Sequence, residues 1–300
     1  MKRHRGVRVC AVAIAALFMA SAVFAATPTT ATPPAQYNPN VNSGWRIISY
    51  SVTTDGDGNI VSKTGYQTFG GKDAEGHTIS GVTTMTFKVF GGIPTLASSY
   101  TKETSSWVED GESHSRTDES WTTNNLNNAG MLTGGSNKST FAETVKDNSG
   151  ALVSTTTGSS NSTKTAIKNG QLQILESKGS STTKDKDGKQ ISSGTFTVTN
   201  TYGNYSGGKW NVTQTVQTSD SSAVGTEQKD HRVITTNMTY DGNGNLLTKS
   251  GSGTSSGREL TENGWANYTG TITIKYKVED GIAVQMAGDD GYKEIRVYTD

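Results

Sequence analysis

The tract GTSSG, residues 253–257, spaces two glycines and a serine as a nucleophile elbow does, with Ser255 at its centre. An elbow needs a strand, a strained turn and then a helix, and in that hydrolase order a histidine follows the nucleophile. The last histidine of this chain is His231, so Ser255 has no base. STTK, residues 181–184, matches a serine–lysine pair, but at this spacing on a strand Ser181 and Lys184 face opposite sides. DGDGN from Asp55 and DGNGN from Asp241 alternate oxygen-bearing side chains as calcium loops do, which makes Asp55, Asp57, Asp241 and Asn243 weak calcium candidates. Ile60 stands at the sixth place of such a loop and Tyr66 at the twelfth, where glycine and a bidentate glutamate belong. Plain turns are the simpler expectation. His77, His114 and His231 lack the paired spacing of a zinc set. No cofactor is expected.

One further cluster could act on sugars. Glu109, Asp110, Glu112, Asp118 and Glu119 gather near Trp107 and Trp121, and a carboxylate pair beside aromatic rings is the equipment of glycoside hydrolysis. The competing expectation is a solvated hairpin tip whose charges guard a sheet edge. Without hydrolysis, Trp107 and Trp121, with Trp210 and Trp265, would form a stacking platform for a glycan if exposed. Packing is the ordinary fate of tryptophan.

The elements that must position these groups start after an export signal. Lys2, Arg3, Arg5 and Arg8 precede an apolar run, Val9 to Ala22, and small residues at Val23 and Ala25 predict cleavage after Ala25. Residues 1–25 are therefore a signal peptide, and the protein is expected in the periplasm, at the cell surface or outside the cell. The single cysteine, Cys10, lies in that segment, so the exported part has no thiol for catalysis, metal or disulfide. Removing the four basic residues leaves 23 basic against 27 acidic, a net of −4. That balance predicts no nucleic-acid partner. Residues 26–40 hold four of the five prolines and read as a flexible Pro/Thr-rich spacer.

Residues 41–300 read as a single repetitive β domain. In TGTITIKYKVEDG, Ile272, Ile274, Tyr276 and Val278 share one parity, with Thr271, Thr273, Lys275 and Lys277 on the other. TFTVTNTY and WNVTQTVQT repeat this period of two, which places each set on its own face of a strand. Turn signals then recur every 16 to 20 residues, at Gly58, Gly76, Gly92, Gly111, Gly130, Gly150, Gly170, Gly188, Gly207, Gly225, Gly244, Gly264 and Gly281. Many follow Asp, Asn or Glu, a context that tolerates the positive φ of tight hairpins. The near-identical phrases TTDGDGNIVSKTG and TYDGNGNLLTKSG stand ten beats apart. In an up-and-down chain an even number of beats returns to the same rim, so they predict equivalent tips. The fold class is all-β: an antiparallel up-and-down meander of about a dozen long strands, as an elongated sheet or barrel. A β-solenoid or a sandwich is the alternative, and SGSGTSSG (250–257) and TGGSNKS (133–139) predict breaks, bulges or ragged edges.

The phrase YDGNGNLLTKSG, from Tyr240, resembles the YD repeats of the Rhs and wall-associated β-repeat families. KDAEGHTIS, KDNSGALVS and KDKDGKQIS keep the Asp, the Gly and an aliphatic position. The resemblance implies β-rich casing for a surface or exported protein. The chain has one Tyr-Asp pair only.

The expectation for function is a non-enzymatic exported protein, a structural or binding module of the periplasm or cell surface with a Thr/Ser-rich antiparallel sheet. Its partner would be a cell-envelope component, a glycan or a lipid. The alternatives are an outer-membrane β-barrel and a soluble β-barrel carrying a lipid or other hydrophobic ligand. Tracts such as STTTGSSNSTKTA cannot supply the apolar outward face that lipid requires.

Overall fold

The computed structural model describes residues 43–72, 77–109, 111–279, 282–286 and 288–299; the signal and the spacer lie outside them. The strands are β1 (Ser43–Thr54), β2 (Ile60–Lys72), β3 (Thr78–Phe90), β4 (Ile93–Glu109), β5 (Glu112–Leu126), β6 (Leu132–Lys146), β7 (Leu152–Lys168), β8 (Gln171–Asp185), β9 (Gln190–Tyr205), β10 (Lys209–Ala223), β11 (Lys229–Tyr240), β12 (Leu246–Thr261), β13 (Gly264–Glu279), β14 (Ile282–Gln285) and β15 (Tyr292–Thr299). Each pairs antiparallel with the next in sequence up to β14, and β15 returns to pair with β13 above β14. The result is one open sheet that does not close. The barrel, the solenoid and the sandwich are thus not the form the chain takes. Most strands run 12 to 17 residues, about 40 to 56 Å at roughly 3.3 Å per residue.

The rhythm of glycines sets the hairpins. Ten of the thirteen glycines take positive φ, and at an eleventh place Gly208 does so in place of Gly207, inside a short 3-10 turn. Gly76 and Gly281 lie outside the described residues. Five tips share one design. At Asp55, Asn127, Asp147, Asp185 and Asp241, Oδ1 accepts the backbone N–H groups two and four residues on, at 2.8 to 3.0 Å. The glycine three residues on donates its N–H to the carbonyl of the same Asp or Asn. This is a type I turn closed by a left-handed glycine, and the strand register shifts by one beside it. The twin phrases form the first and eleventh hairpins, on the same rim.

Register assigns every strand residue to one of two faces. Phe69, Ile79, Leu96, Phe141, Ile174, Phe196, Val198, Tyr268, Ile272 and Ile274, all buried, fall on one face, the inner. In a single layer, burial confined to one face requires the sheet to curl toward it. Strands two apart in a flat sheet lie about 9.6 Å from each other, yet Cα atoms of β2 and β4, and of β6 and β8, approach within 8 Å. Glycine permits the bend. Gly81 on β3 and Gly158 on β7 point inward, and a Cβ at either would come within 2.8 Å of the carbonyl of Lys102 or Ser180 on the next strand.

Aromatic rings fill the space so released. Phe69 lies across Gly81, Phe141 across Gly158, Phe196 across Gly179 and Tyr268 across Gly257, each pair directly opposed on adjacent strands. Burying one such ring contributes about 1.5–3 kcal/mol, and laid flat it covers the glycine backbone as well. This corrects the expectation of breaks. Residues 250–257 run unbroken within β12, paired to β11 without a shift, because Ile274 packs on Gly251 and Tyr268 on Gly257. Residues 133–139 also sit inside β6, but there the expectation holds in part: the register with β5 skips Thr133, and the ladder to β7 begins only at Lys138.

Candidate functional site

The short motifs end as parts of the sheet. Ser255 is buried, and its hydroxyl donates to Glu294 Oε1 at 2.7 Å. Ser181 faces inward and Lys184 outward, as their spacing requires. The carboxylates of Asp55 and Asp241 bind their own turns, and Asn59 and Asn245 add side-chain amides at 3.0 and 2.8 Å. These hydrogen bonds hold both carboxyl groups below the usual aspartate range. Asp57 and Asn243 enter the same turns through their backbone N–H groups. Among the described residues, no group of three His, Cys, Asp or Glu is placed to hold a metal ion.

The acidic cluster is divided between the faces. Asp118 points inward and receives Arg116 Nε and Nη2 at 2.8 and 2.7 Å. Glu119 points outward, accepting from Tyr100 Oη at 2.8 Å with Lys102 Nζ at 3.6 Å. Glu109 and Glu112 oppose each other at the rim, and Asp110 lies outside the described residues. The tryptophans are divided too, and both are half-buried. Trp107 faces inward, stacked between His77 and His114 with ring centroids at 4.7 and 4.8 Å. Trp121 faces outward, 5.3 Å from Tyr100 and 5.6 Å from Lys138 Nζ. Sequence distance hid the histidine sandwich. Counting back from the tip at Gly111 would have found half of it, since His114 is the register partner of Trp107.

Two ion networks on the inner face were not foreseen. In the first, His114 Nδ1 lies 3.1 Å from buried Glu143, whose other oxygen is 4.0 Å from Arg116. Arg116 stacks 4.4 Å from the Phe141 ring centroid. In the second, Arg232 Nε reaches Asp230 at 2.7 Å and its Nη2 reaches Glu294 at 3.3 Å. Arg296 donates to Glu294 at 2.8 Å and to Glu259 at 2.6 Å, and stacks 4.4 Å from the Tyr268 ring centroid. Tyr268 donates to Asp230, and burial together with that carboxylate pushes its phenol up. These charges neutralise one another across β11, β12, β13 and β15.

On the outer face, Asp220 Oδ1 lies 2.7 Å from His231 Nδ1, and Ser256 is the register partner of His231. The row runs acid, imidazole, hydroxyl, beside a groove of about 780 Å³. Backbone N–H groups inside a sheet are committed to neighbouring strands, so no pair is left to hold an oxyanion. The side chain of Asp220 is 63% exposed, unlike the buried acid of a working triad. No family model, no curated protein and no solved structure matches this chain.

Proposed function

We propose that this chain is a non-enzymatic exported protein, a structural or binding module of the periplasm or cell surface. The observation that carries the reading is the contrast between the faces. The inward carboxylates Asp118, Glu143, Asp230, Glu259 and Glu294 are spent on arginine, histidine and tyrosine partners, and the inward Lys63 and Lys249 rest over aromatic rings, while the outward face is an open field of Ser, Thr and Lys side chains. Such a surface offers hydrogen bonds and charge without general acids or bases placed for chemistry. The barrel readings need a closed wall, and an outer-membrane wall needs apolar residues where this sheet carries lysine and hydroxyl groups. The family of YD repeats enters as analogy of tip chemistry, shared by five hairpins here.

Cell fractionation tests it. The expected result is cleaved protein in the periplasmic or surface fraction that binds isolated envelope and has no hydrolase activity toward envelope polymers. A detergent-resistant band in the outer membrane whose gel mobility changes on heating would overturn the reading in favour of the barrel.

A further inference from the structure

The net charge of the chain conceals a segregation. Lys88, Lys102, Lys138, Lys178, Lys229 and Lys275 all stand on the outer face and are exposed. Glu119, Glu176 and Asp220 are carboxylates placed with them. Arg46, Arg116, Arg232 and Arg296 face inward instead, with Lys63 and Lys249, and further acidic residues occupy hairpin tips. The outer face is therefore a cationic field with acidic residues along one rim, at Glu109, Glu112, Asp147 and Asp187, whereas the opposite tips at residues 91–92, 127–131 and 169–170 carry none. Clefts and surfaces of one sign concentrate ligands of the other.

Within that field one row has a specific form. Following register from β4 to β8, Tyr100, Trp121, Lys138, Asn161 and Lys178 succeed one another across five strands. Two half-buried aromatic rings come first, then an ammonium group, an amide and a second ammonium group. Adjacent members follow the ladder spacing of about 4.8 Å along the backbone, and on the convex face of the curled sheet their side chains fan outward from it. Lys102 flanks the rings in the next row, bound to Glu119. Lys178 keeps 60% of its side chain exposed, although Glu176 lies 3.7 Å away. We propose that this row binds an acidic polysaccharide lying across the strands. One sugar ring stacks on Trp121, carboxylates of alternate sugars meet Lys138 and Lys178, and Asn161 and the neighbouring Ser and Thr hydroxyls bond the sugar oxygens.

Charge complementarity selects an anion, and the other features select a glycan. A lipid surface offers no ring for Trp121, and the stacked bases of a duplex cannot reach the half-buried indole. A single extended polymer meets rings, amide and ammonium groups in order. The assignment rests on the binding-module reading and names its ligand class.

The test is affinity electrophoresis and calorimetry of the exported chain with polygalacturonate, beside neutral dextran, phosphatidylglycerol vesicles and duplex DNA. Polygalacturonate should bind with an affinity that falls as salt rises, and dextran should not. Trp121→Ala and the double variant Lys138→Gln/Lys178→Gln should each weaken binding about tenfold or more, with far-UV circular dichroism unchanged. Lys186→Gln, at a tip where the lysine pairs with Asp187 at 2.9 Å, should leave it intact. Equal binding of dextran, tighter binding of vesicles or DNA, or indifference to both variants overturns the proposal. Envelope binding that ignores the variants would remove this site and keep the module. Cleavage of a polygalacturonate that binds through these residues would keep the site and remove the non-enzymatic reading.

Discussion

The inner face builds the same device twice, once on β5 to β7 near the middle of the sheet and once on β12 to β15 at its last strands. On β5, Arg116 binds Asp118 two residues away and stacks on Phe141, whose ring covers Gly158 on β7. On β15, Arg296 binds Glu294 two residues away and stacks on Tyr268, whose ring covers Gly257 on β12. An arginine and an acid on alternate residues share a face, the guanidinium is neutralised in its own plane, and its flat side rests on a ring. The difference is one oxygen. Phe141 ends the first stack, whereas the Tyr268 hydroxyl continues the second to Asp230 and thence to Arg232. The first extends past the ring only through Arg116, to Glu143 on β6 and His114 on β5; the second is a polar network spanning four strands. Guanidinium over ring is the shared principle, and the hydroxyl sets how far it reaches.

The largest effect should come from filling the space under the rings. Gly158→Val places a side chain against Phe141 and the Ser180 carbonyl, and Gly257→Val meets Tyr268 and the Lys229 carbonyl. Each should cost about 3 kcal/mol or prevent folding, read as a lowered urea midpoint. At Gly56, where nothing lies within 4 Å of an added Cβ, Ala should change the midpoint little. Equal tolerance at all three sites would show that the rings do not depend on the glycines.

Removing the distinguishing oxygen comes next. Tyr268→Phe leaves Asp230 without its phenol donor and should cost about 1–3 kcal/mol. Phe141→Leu keeps an apolar side chain but loses the ring beneath Arg116, and a cost of about 1–2 kcal/mol follows from smaller area and lost stacking. The sharper readout is double-mutant coupling. Tyr268→Phe should couple to Asp230→Asn, whereas Phe141→Leu should not couple to Glu143→Gln.

The two stacks should also part company in alkali. Burial, its largest cause, pushes the Tyr268 phenol up, and does the same to Tyr276 and Tyr292; near the hairpin beside β11, Tyr240 is pushed up to about 12. A raised folded value favours the protonated form in the native state. The stability it contributes is complete below the unfolded tyrosine value of about 10 and is lost as pH rises through the folded one. Tyrosinate absorbance should therefore appear late and together with unfolding. Tyr268→Phe should flatten the alkaline limb of the urea midpoint, while Phe141→Leu should shift that limb without changing its slope.

How much of this was legible in the sequence follows from range. Period-two alternation and Asp-Gly or Asn-Gly tips are local, so strand identity, hairpin positions and the shared rim of the twin phrases could be read directly. Closure could not, because curl depends on which glycines face inward after thirteen registers are fixed. A one-residue bulge beside a tip changes which residues share a face, as the shift between Thr53 and Thr54 does. For the same reason Trp107 and Trp121 read as companions in the sequence, although thirteen intervening residues and a hairpin set them on opposite faces. The charge count failed by averaging. An excess of lysine on the outer face is offset by carboxylates on a mixed inner face and at the tips, yet the surface a ligand meets is a single face.

The smallest expected effect lies on the acid side. Burial pushes the Glu294 carboxyl up, but hydrogen bonds from Arg296 and Ser255 and the charges of Arg232 and Arg296 outweigh it, so the group is held below the usual glutamate range. A depressed folded value means stability that is complete above the unfolded value of about 4.3 and is lost as pH falls through the folded one. Below that pH, β15 keeps its ladder to β13 but loses the charge that gathers Arg232, Arg296 and Ser255. Amide exchange followed down this range should show protection falling first at Ile295 and Val297 and later at Phe141 and Ala142. Glu294→Gln should remove the difference, since an amide at that position cannot titrate. Earlier loss at β6 than at β15 would place the acid-sensitive joint at the Arg116 stack instead, and the long reach of the Tyr268 network would then owe little to Glu294.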